Sequence, residues 1–231
     1  MVKFESLEEF KLYFCDIVRL EEFLKSASVK YTLGVSGYDA SLSVDLSDKS
    51  LDKIDEFNKS FLAAFGEAVY ALENVSLEQE LIKLLKIGGA KISVAESFTG
   101  GNVSAKLTSV SGASEVFSEG IVAYSNEAKT LRLGVDAETI KKFGAVSDET
   151  AYEMARGLLK NPLCDVAVAT TGIAGPNGDG TDAPVGRCFI ATGNKNEIKV
   201  FKYDFTGDRK TITRIGTETA LYLAIKSLKN K

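Results

Sequence analysis

The sequence predicts an α/β protein: a three-layer α/β/α domain with a mixed sheet over residues 76–231, preceded by a small α+β domain over residues 1–75. Three observations predict it. From Ser76 onward, helix-like and strand-like segments alternate, as they do in layered α/β domains. The run Val166-Ala167-Val168-Ala169 is apolar at every position, which suits a central strand covered on both faces. Before Ser76, a strand-like alternation at Leu42, Val44 and Leu46 leads into one amphipathic helix.

In chain order, Phe10 to Val18 fits strand and helix equally well, and Arg19 to Ser26 reads as helix. Val29 to Leu33 and Ala40 to Leu46 read as strands around a Gly34–Gly37 turn. Leu51 to Phe65 is helical, with Leu51, Ile54, Phe57, Phe61, Leu62 and Phe65 on one face, and Ala68 to Leu72 is a short strand. The boundary falls near Asn74-Val75. Ser76 and Gln79 then form a capping box for a helix to about Lys86. A strand over 91–95, a helix over 101–110 and a strand from Gly120 to Tyr124 follow. Short helices are expected at Asn126–Arg132 and Ala137–Lys142, and a longer one from Ser147 to Lys160. Asp165 to Thr171 is the apolar strand, and Gly172 to Pro184 a Gly/Pro-rich loop. Val185–Thr192 and Glu197–Phe205 form a hairpin, and Asp208–Leu228 is the last helix.

At 231 residues the chain has room for one or two domains of about 150 residues. No apolar run approaches the ~18 residues of a membrane span, and the N-terminal segment carries no signal-peptide apolar region. A cytoplasmic location and no membrane partner are therefore expected. Residues 1–80 hold 8 basic and 16 acidic side chains, so the first domain should repel nucleic acid. Residues 81–231 hold 20 basic and 16 acidic side chains, enough to accept a phosphorylated small molecule but with no long basic stripe.

The chain has no histidine, which excludes Ser-His-Asp and Cys-His catalysis and the commonest zinc sites. Cys15, Cys164 and Cys188 show no metal spacing and read as reduced structural thiols. Asn177-Gly178-Asp179-Gly180-Thr181-Asp182 lacks the carboxylate spacing and closing Glu of a calcium loop. No metal or cofactor is expected. Tyr124 and Lys129 do not meet a Tyr-x3-Lys spacing and no Gly-x-Gly-x-x-Gly is present, so nicotinamide redox chemistry has no support.

What remains are polar or glycine-rich corners at strand ends, which suggest one shared crevice. The first is Glu96-Ser97-Phe98-Thr99-Gly100-Gly101. There a hydroxyl stands before two glycines that open a helix, and bare N–H groups and the helix dipole favour negative charge. The second is Tyr124-Ser125-Asn126-Glu127-Ala128-Lys129. A lysine in a dry pocket loses basicity and activates a serine without histidine. The third, Thr171-Gly172-Ile173-Ala174-Gly175-Pro176, offers backbone donors. In the fourth, Arg209 sits in the first turn of the last helix, against the dipole. This points to an anion, either substrate phosphate or a carboxylate of a neighbouring subunit.

Together with Gly144-Ala145-Val146-Ser147, Pro184-Val185-Gly186 and Gly207-Asp208-Arg209, these motifs closely resemble, in order, the C-terminal nicotinamide-mononucleotide deamidase (PncC-type) domain of the CinA family, also called competence/damage-inducible proteins. The resemblance covers about residues 76–231. It implies an amidohydrolase of pyridine nucleotide salvage that converts nicotinamide mononucleotide to nicotinate mononucleotide and ammonia. It implies Ser97, Tyr124 and Lys129 as the catalytic group. Thr99, Gly100, Gly101, Thr171, Gly172, Ile173, Ala174, Gly175 and Arg209 would bind substrate. It also implies a homo-oligomer. Phe98 replaces the cysteine usual at that place. The chain is too short for the large molybdopterin-binding-like domain of long CinA proteins, so the pyrophosphatase activity of that domain is not expected. Residues 10–75 resemble the small KH-like segment of those proteins, with Gly34-Val35-Ser36-Gly37 in place of a GxxG, and are read as structural or oligomer-forming. The alternative is a catalytically silent nucleotide-binding or protein-interaction module of the same family.

Overall fold

The computed structural model describes residues 7–229. The chain divides into two compact units, Met1–Ser76 and Leu77–Lys231. In the first, β1 (Leu7–Tyr13), α1 (Ile17–Ser26), β2 (Lys30–Ser36), β3 (Asp39–Asp45), α2 (Leu51–Phe65) and β4 (Val69–Ala71) follow one another. The strands form an antiparallel sheet in the order β2-β3-β1-β4. Ala40, Leu42 and Val44 of β3 are buried with Leu20, Leu24, Phe57, Phe61 and Phe65 of the two helices. The first unit is therefore a sheet with its apolar face under two helices.

One open segment in this unit is resolved and two expectations need correction. The ambiguous segment Phe10 to Val18 is split, because the Asp16 side chain accepts from Arg19 N–H at 3.1 Å and starts α1 there. Gly34 is not in a turn but inside β2, opposite Ser41. The turn is Gly37-Tyr38, between paired Ser36 and Asp39, and Gly37 supplies its φ of 64°. Gly34-Val35-Ser36-Gly37 is thus strand for three of its four residues and forms no loop around a nucleic-acid backbone. In α2, Leu51 and Leu62 are 71% and 44% exposed. At about 100° per residue they lie at the margin of the stripe centred on Phe57, Phe61 and Phe65.

The second unit runs α3 (Leu77–Gly88), β5 (Ile92–Glu96), α4 (Asn102–Thr108), β6 (Phe117–Val122), α5 (Asn126–Leu133), α6 (Ala137–Phe143), α7 (Asp148–Leu158), β7 (Val166–Gly172), β8 (Arg187–Gly193), β9 (Ile198–Asp204) and α8 (Arg209–Lys229). Its sheet is mixed, in the order β6-β5-β7-β8-β9; β5 is parallel to β6 and β7, and β8 and β9 add antiparallel. α8 packs on β7 and β8 together with α3 and α4, while α7 covers β7, β8 and β9 with α5 and α6 beside it. This is the expected three-layer arrangement. β5 and β7 are buried along their lengths because both faces are covered. From Ile215 to Ile225, α8 is buried nearly all round, as a helix wedged between other helices and a sheet must be. β6 ends two residues before Tyr124, so Tyr124 lies beyond the strand rather than closing it. Among the described residues, no helix is long and apolar enough to cross a membrane.

Candidate active site

The sheet reverses its order at β5: the chain adds β6 on one side and β7 on the other. Crevices of open α/β sheets form at the carboxyl ends of strands at such a point. The three parallel strands deliver their ends there. Ser97 follows β5, Tyr124 follows β6, and Thr171 and Gly172 close β7. Two backbone bonds fix the corner, Ser97 N–H to Thr170 C=O at 2.9 Å and Ala123 N–H to Glu96 C=O at 2.8 Å.

Lys129 comes from the first turn of α5. Ser125 caps that helix by accepting from Ala128 N–H at 3.1 Å, and this start places Lys129 on the face turned toward β5. Its side chain is only 2% exposed, and Nζ lies 3.1 Å from Ser97 Oγ. Burial pulls the Lys129 amine below the usual lysine range, with Glu127 opposing the shift. A buried amine of lowered basicity beside a hydroxyl can take up that hydroxyl's proton.

The lowered basicity also has a cost in stability. The unfolded chain holds the lysine proton more tightly than the fold does, so stability rises with pH up to the unfolded value of ~10.4. Lys129→Met is therefore expected to raise the melting temperature at pH 7, with the gain shrinking toward zero as the pH approaches ~10.4. Thermal unfolding of both proteins across that range checks this. A gain that grows with pH would contradict it.

The substrate-binding role expected of Thr99, Gly100 and Gly101 is corrected by the geometry. Gly100 and Gly101 take φ of 62° and 100°, which explains two glycines in succession. Their N–H groups are nevertheless already engaged: Gly100 donates to Ser97 C=O at 3.0 Å and Gly101 to the Glu96 carboxylate at 2.9 Å. Thr99 is fully buried and its hydroxyl also donates to Glu96. The positive end of α4 is neutralised by a carboxylate of its own chain and is closed to a ligand. The motif's hydroxyls and glycines carry its visible chemistry, whereas the backbone N–H groups that Glu96 accepts leave no signal in the sequence.

The pocket beside Ser97 has a volume of about 220 Å³. It is lined by Ser97, Phe98, Tyr124, Lys129, Thr171, Gly172, Ile173, Ala174, Gly175 and Arg209. It also includes Asn126, Ala145, Val146, Asn177, Gly178 and Asp179, which were not expected as site residues. Val146 and Ala145 are there because the Thr171 hydroxyl donates to Ala145 C=O at 2.6 Å and Ser147 caps α7 just beyond. Thr171 Oγ1 and Ile173 N–H are therefore engaged within the protein, the latter with Arg187 C=O at 2.8 Å. The N–H groups of Phe98, Ala174 and Gly175 have no hydrogen-bond partner among the described residues.

Arg209 opens α8 after Asp208, which accepts from Thr211 N–H at 2.8 Å. The guanidinium of Arg209 lines the pocket of its own chain. It donates to Gly175 C=O at 2.6 Å and to the Tyr124 hydroxyl. The Tyr124 hydroxyl, expected in the catalytic group, bonds Arg209 rather than Ser97 or Lys129. Arg209 has five N–H donors, and two bonds leave donors for an anion.

Phe98 is buried and its ring lies against Gly216 of α8, where an added Cβ would sit 2.4 Å from Cζ. The aromatic ring packs against α8. Burial pushes the Cys188 thiol up to about 12, and raises Cys164 as well, so neither is a nucleophile at neutral pH.

Comparison with known proteins agrees with this fold. The family model described as the CinA C-terminal domain matches residues 74–228. A relative from Caldicellulosiruptor saccharolyticus, named for competence-damage induction, is 44% identical over 191 residues, 82% of this chain and 46% of that protein. A CinA-like protein from Kosmotoga olearia is 43% identical over 175 residues, 76% of this chain and 42% of that protein. The chain spans about half the length of the curated relatives it matches. Among solved structures, the competence/damage inducible protein CihA from Agrobacterium tumefaciens is similar with a TM-score of 0.64 and 39% identity, covering 66% of this chain and 93% of that one. With the family model, the relatives and the solved structures in agreement, the chain belongs to the CinA family through its C-terminal domain.

Proposed function

We propose that the second unit is an amidohydrolase that converts nicotinamide mononucleotide and water to nicotinate mononucleotide and ammonia. The observation that carries this reading is the buried Lys129 amine 3.1 Å from Ser97 Oγ in a pocket that ends on Arg209. Neutral Lys129 takes the Ser97 hydroxyl proton as Oγ attacks the carboxamide carbon. The oxyanion is received by backbone N–H groups, for which Phe98 and Ala174 are the unengaged candidates. The C–N bond then breaks, and the departing nitrogen takes the proton from the Lys129 ammonium and leaves as ammonia. Water attacks the acyl-serine ester with Lys129 again as base, which releases the carboxylate and restores Ser97.

Arg209 receives the 5′-phosphate with its remaining donors, a task that suits a planar fork. Tyr124 holds the guanidinium in place. Phe98 removes nothing from this scheme, because its ring faces α8. The test is ammonia release from nicotinamide mononucleotide, nicotinamide riboside and free nicotinamide. Turnover is expected for the mononucleotide and much weaker turnover for the two compounds without phosphate. Equal turnover of all three would remove the phosphate role from Arg209.

A further inference from the structure

Glu96 closes β5 and has no solvent exposure. Five donors converge on its carboxylate. Oε2 accepts from Thr99 Oγ1 at 2.8 Å, Gly101 N–H at 2.9 Å and Val103 N–H at 3.0 Å. Oε1 accepts from Ser104 N–H at 2.9 Å and Ser104 Oγ at 2.7 Å. Thr99 Oγ1 spends its proton on Glu96, so in its 2.7 Å contact with Thr170 Oγ1 the donor is Thr170. The carbonyl of the same Thr170 accepts Ser97 N–H at 2.9 Å. The turn that carries Ser97 is thus tied to β7 through its backbone, and to β7 and the start of α4 through Glu96.

We propose that Glu96 is a positioning residue for Ser97. It holds the hydroxyl against Lys129 by locking the strand–turn–helix corner. The inference rests on the reading of Ser97 as the reacting group. The chemistry of the corner favours it. The first N–H groups of a helix lack intrahelical partners, and an anionic acceptor at that end gains from the dipole as well as from the bonds. A carboxylate only accepts, which matches five donors; a neutral amide would turn an NH2 toward one of them and leave a buried N–H unpaired. Displacement of a reacting group by about an ångström costs ~100-fold in rate.

The test uses the full chain as wild type, Glu96→Gln, Thr99→Val and Ser97→Ala. Thermal unfolding sets a common temperature well below every melting point. Two rates are then read: ammonia release from nicotinamide mononucleotide, and labelling of Ser97 by a fluorophosphonate, followed by intact mass with Ser97→Ala as the blank. Glu96→Gln is expected to lower kcat by ~10- to 100-fold at unchanged KM, with labelling slowed in parallel. A lowered melting point with kcat and labelling both unchanged would make Glu96 a helix cap only, and the proposal would fall. If Glu96→Gln does not fold, Thr99→Val decides, since it removes one donor and the link to Thr170 at nearly constant shape. Wild-type labelling without ammonia release would sink the amidase reading while the labelling ratio still decides Glu96. Neither labelling nor turnover would remove both.

Discussion

Ser97→Ala is expected to reduce ammonia release from nicotinamide mononucleotide by at least ~10³-fold while leaving the circular dichroism spectrum unchanged. The size follows from the scheme. Without Oγ there is no acyl-serine, and the chain has no histidine through which another route could run. The fold should survive because the corner is held by backbone bonds of Ser97 and by Glu96, neither of which needs the hydroxyl. Residual activity above about a tenth of wild type would remove Ser97 from the chemistry.

Lys129→Met should lower kcat by ~10²-fold or more with KM nearly unchanged, since the amine faces Ser97 and not the phosphate end of the pocket. In the wild type, kcat/KM should rise with pH as Lys129 loses its proton. The midpoint should lie below the free lysine value of ~10.4, because burial disfavours the ammonium. A pH–rate profile checks both statements. A raised KM at constant kcat would turn Lys129 into a binding residue. A midpoint at or above the free value would contradict its burial. Set beside the higher melting temperature expected for the same variant, this would show function maintained at the expense of stability.

The sequence made the layered domain legible because its signals are redundant. The Val166–Ala169 run, the alternation of helix-like and strand-like segments and the final hairpin each restrict the same sheet. It also made the meeting of Ser97 and Lys129 legible, since both follow parallel strands that are neighbours. The misreadings have physical causes. Thr99, Gly100 and Gly101 looked like an open anion site because a helix N-terminus is one unless something fills it, and here Glu96 does so from the adjacent strand. The five donors of Glu96 are mostly backbone N–H groups, which leave no trace in residue type. Tyr124 and Lys129 do line one pocket, but the Tyr124 hydroxyl is taken by Arg209, 85 residues further on, and no local pattern encodes a contact at that separation. Leu51 and Leu62 show that an apolar residue at the margin of a stripe is not thereby buried.

If the Ser97–Lys129 pair hydrolyses the carboxamide of a pyridine mononucleotide, ammonia and the acid must appear together. The most direct measurement is a stoichiometric one: ammonia and nicotinate mononucleotide followed together in a single reaction of the wild-type chain, with Ser97→Ala and Lys129→Met alongside. Equal amounts of both products are expected from the wild type and neither from the two variants. A wild type that leaves nicotinamide mononucleotide intact, or variants that release ammonia as fast as it does, would contradict it.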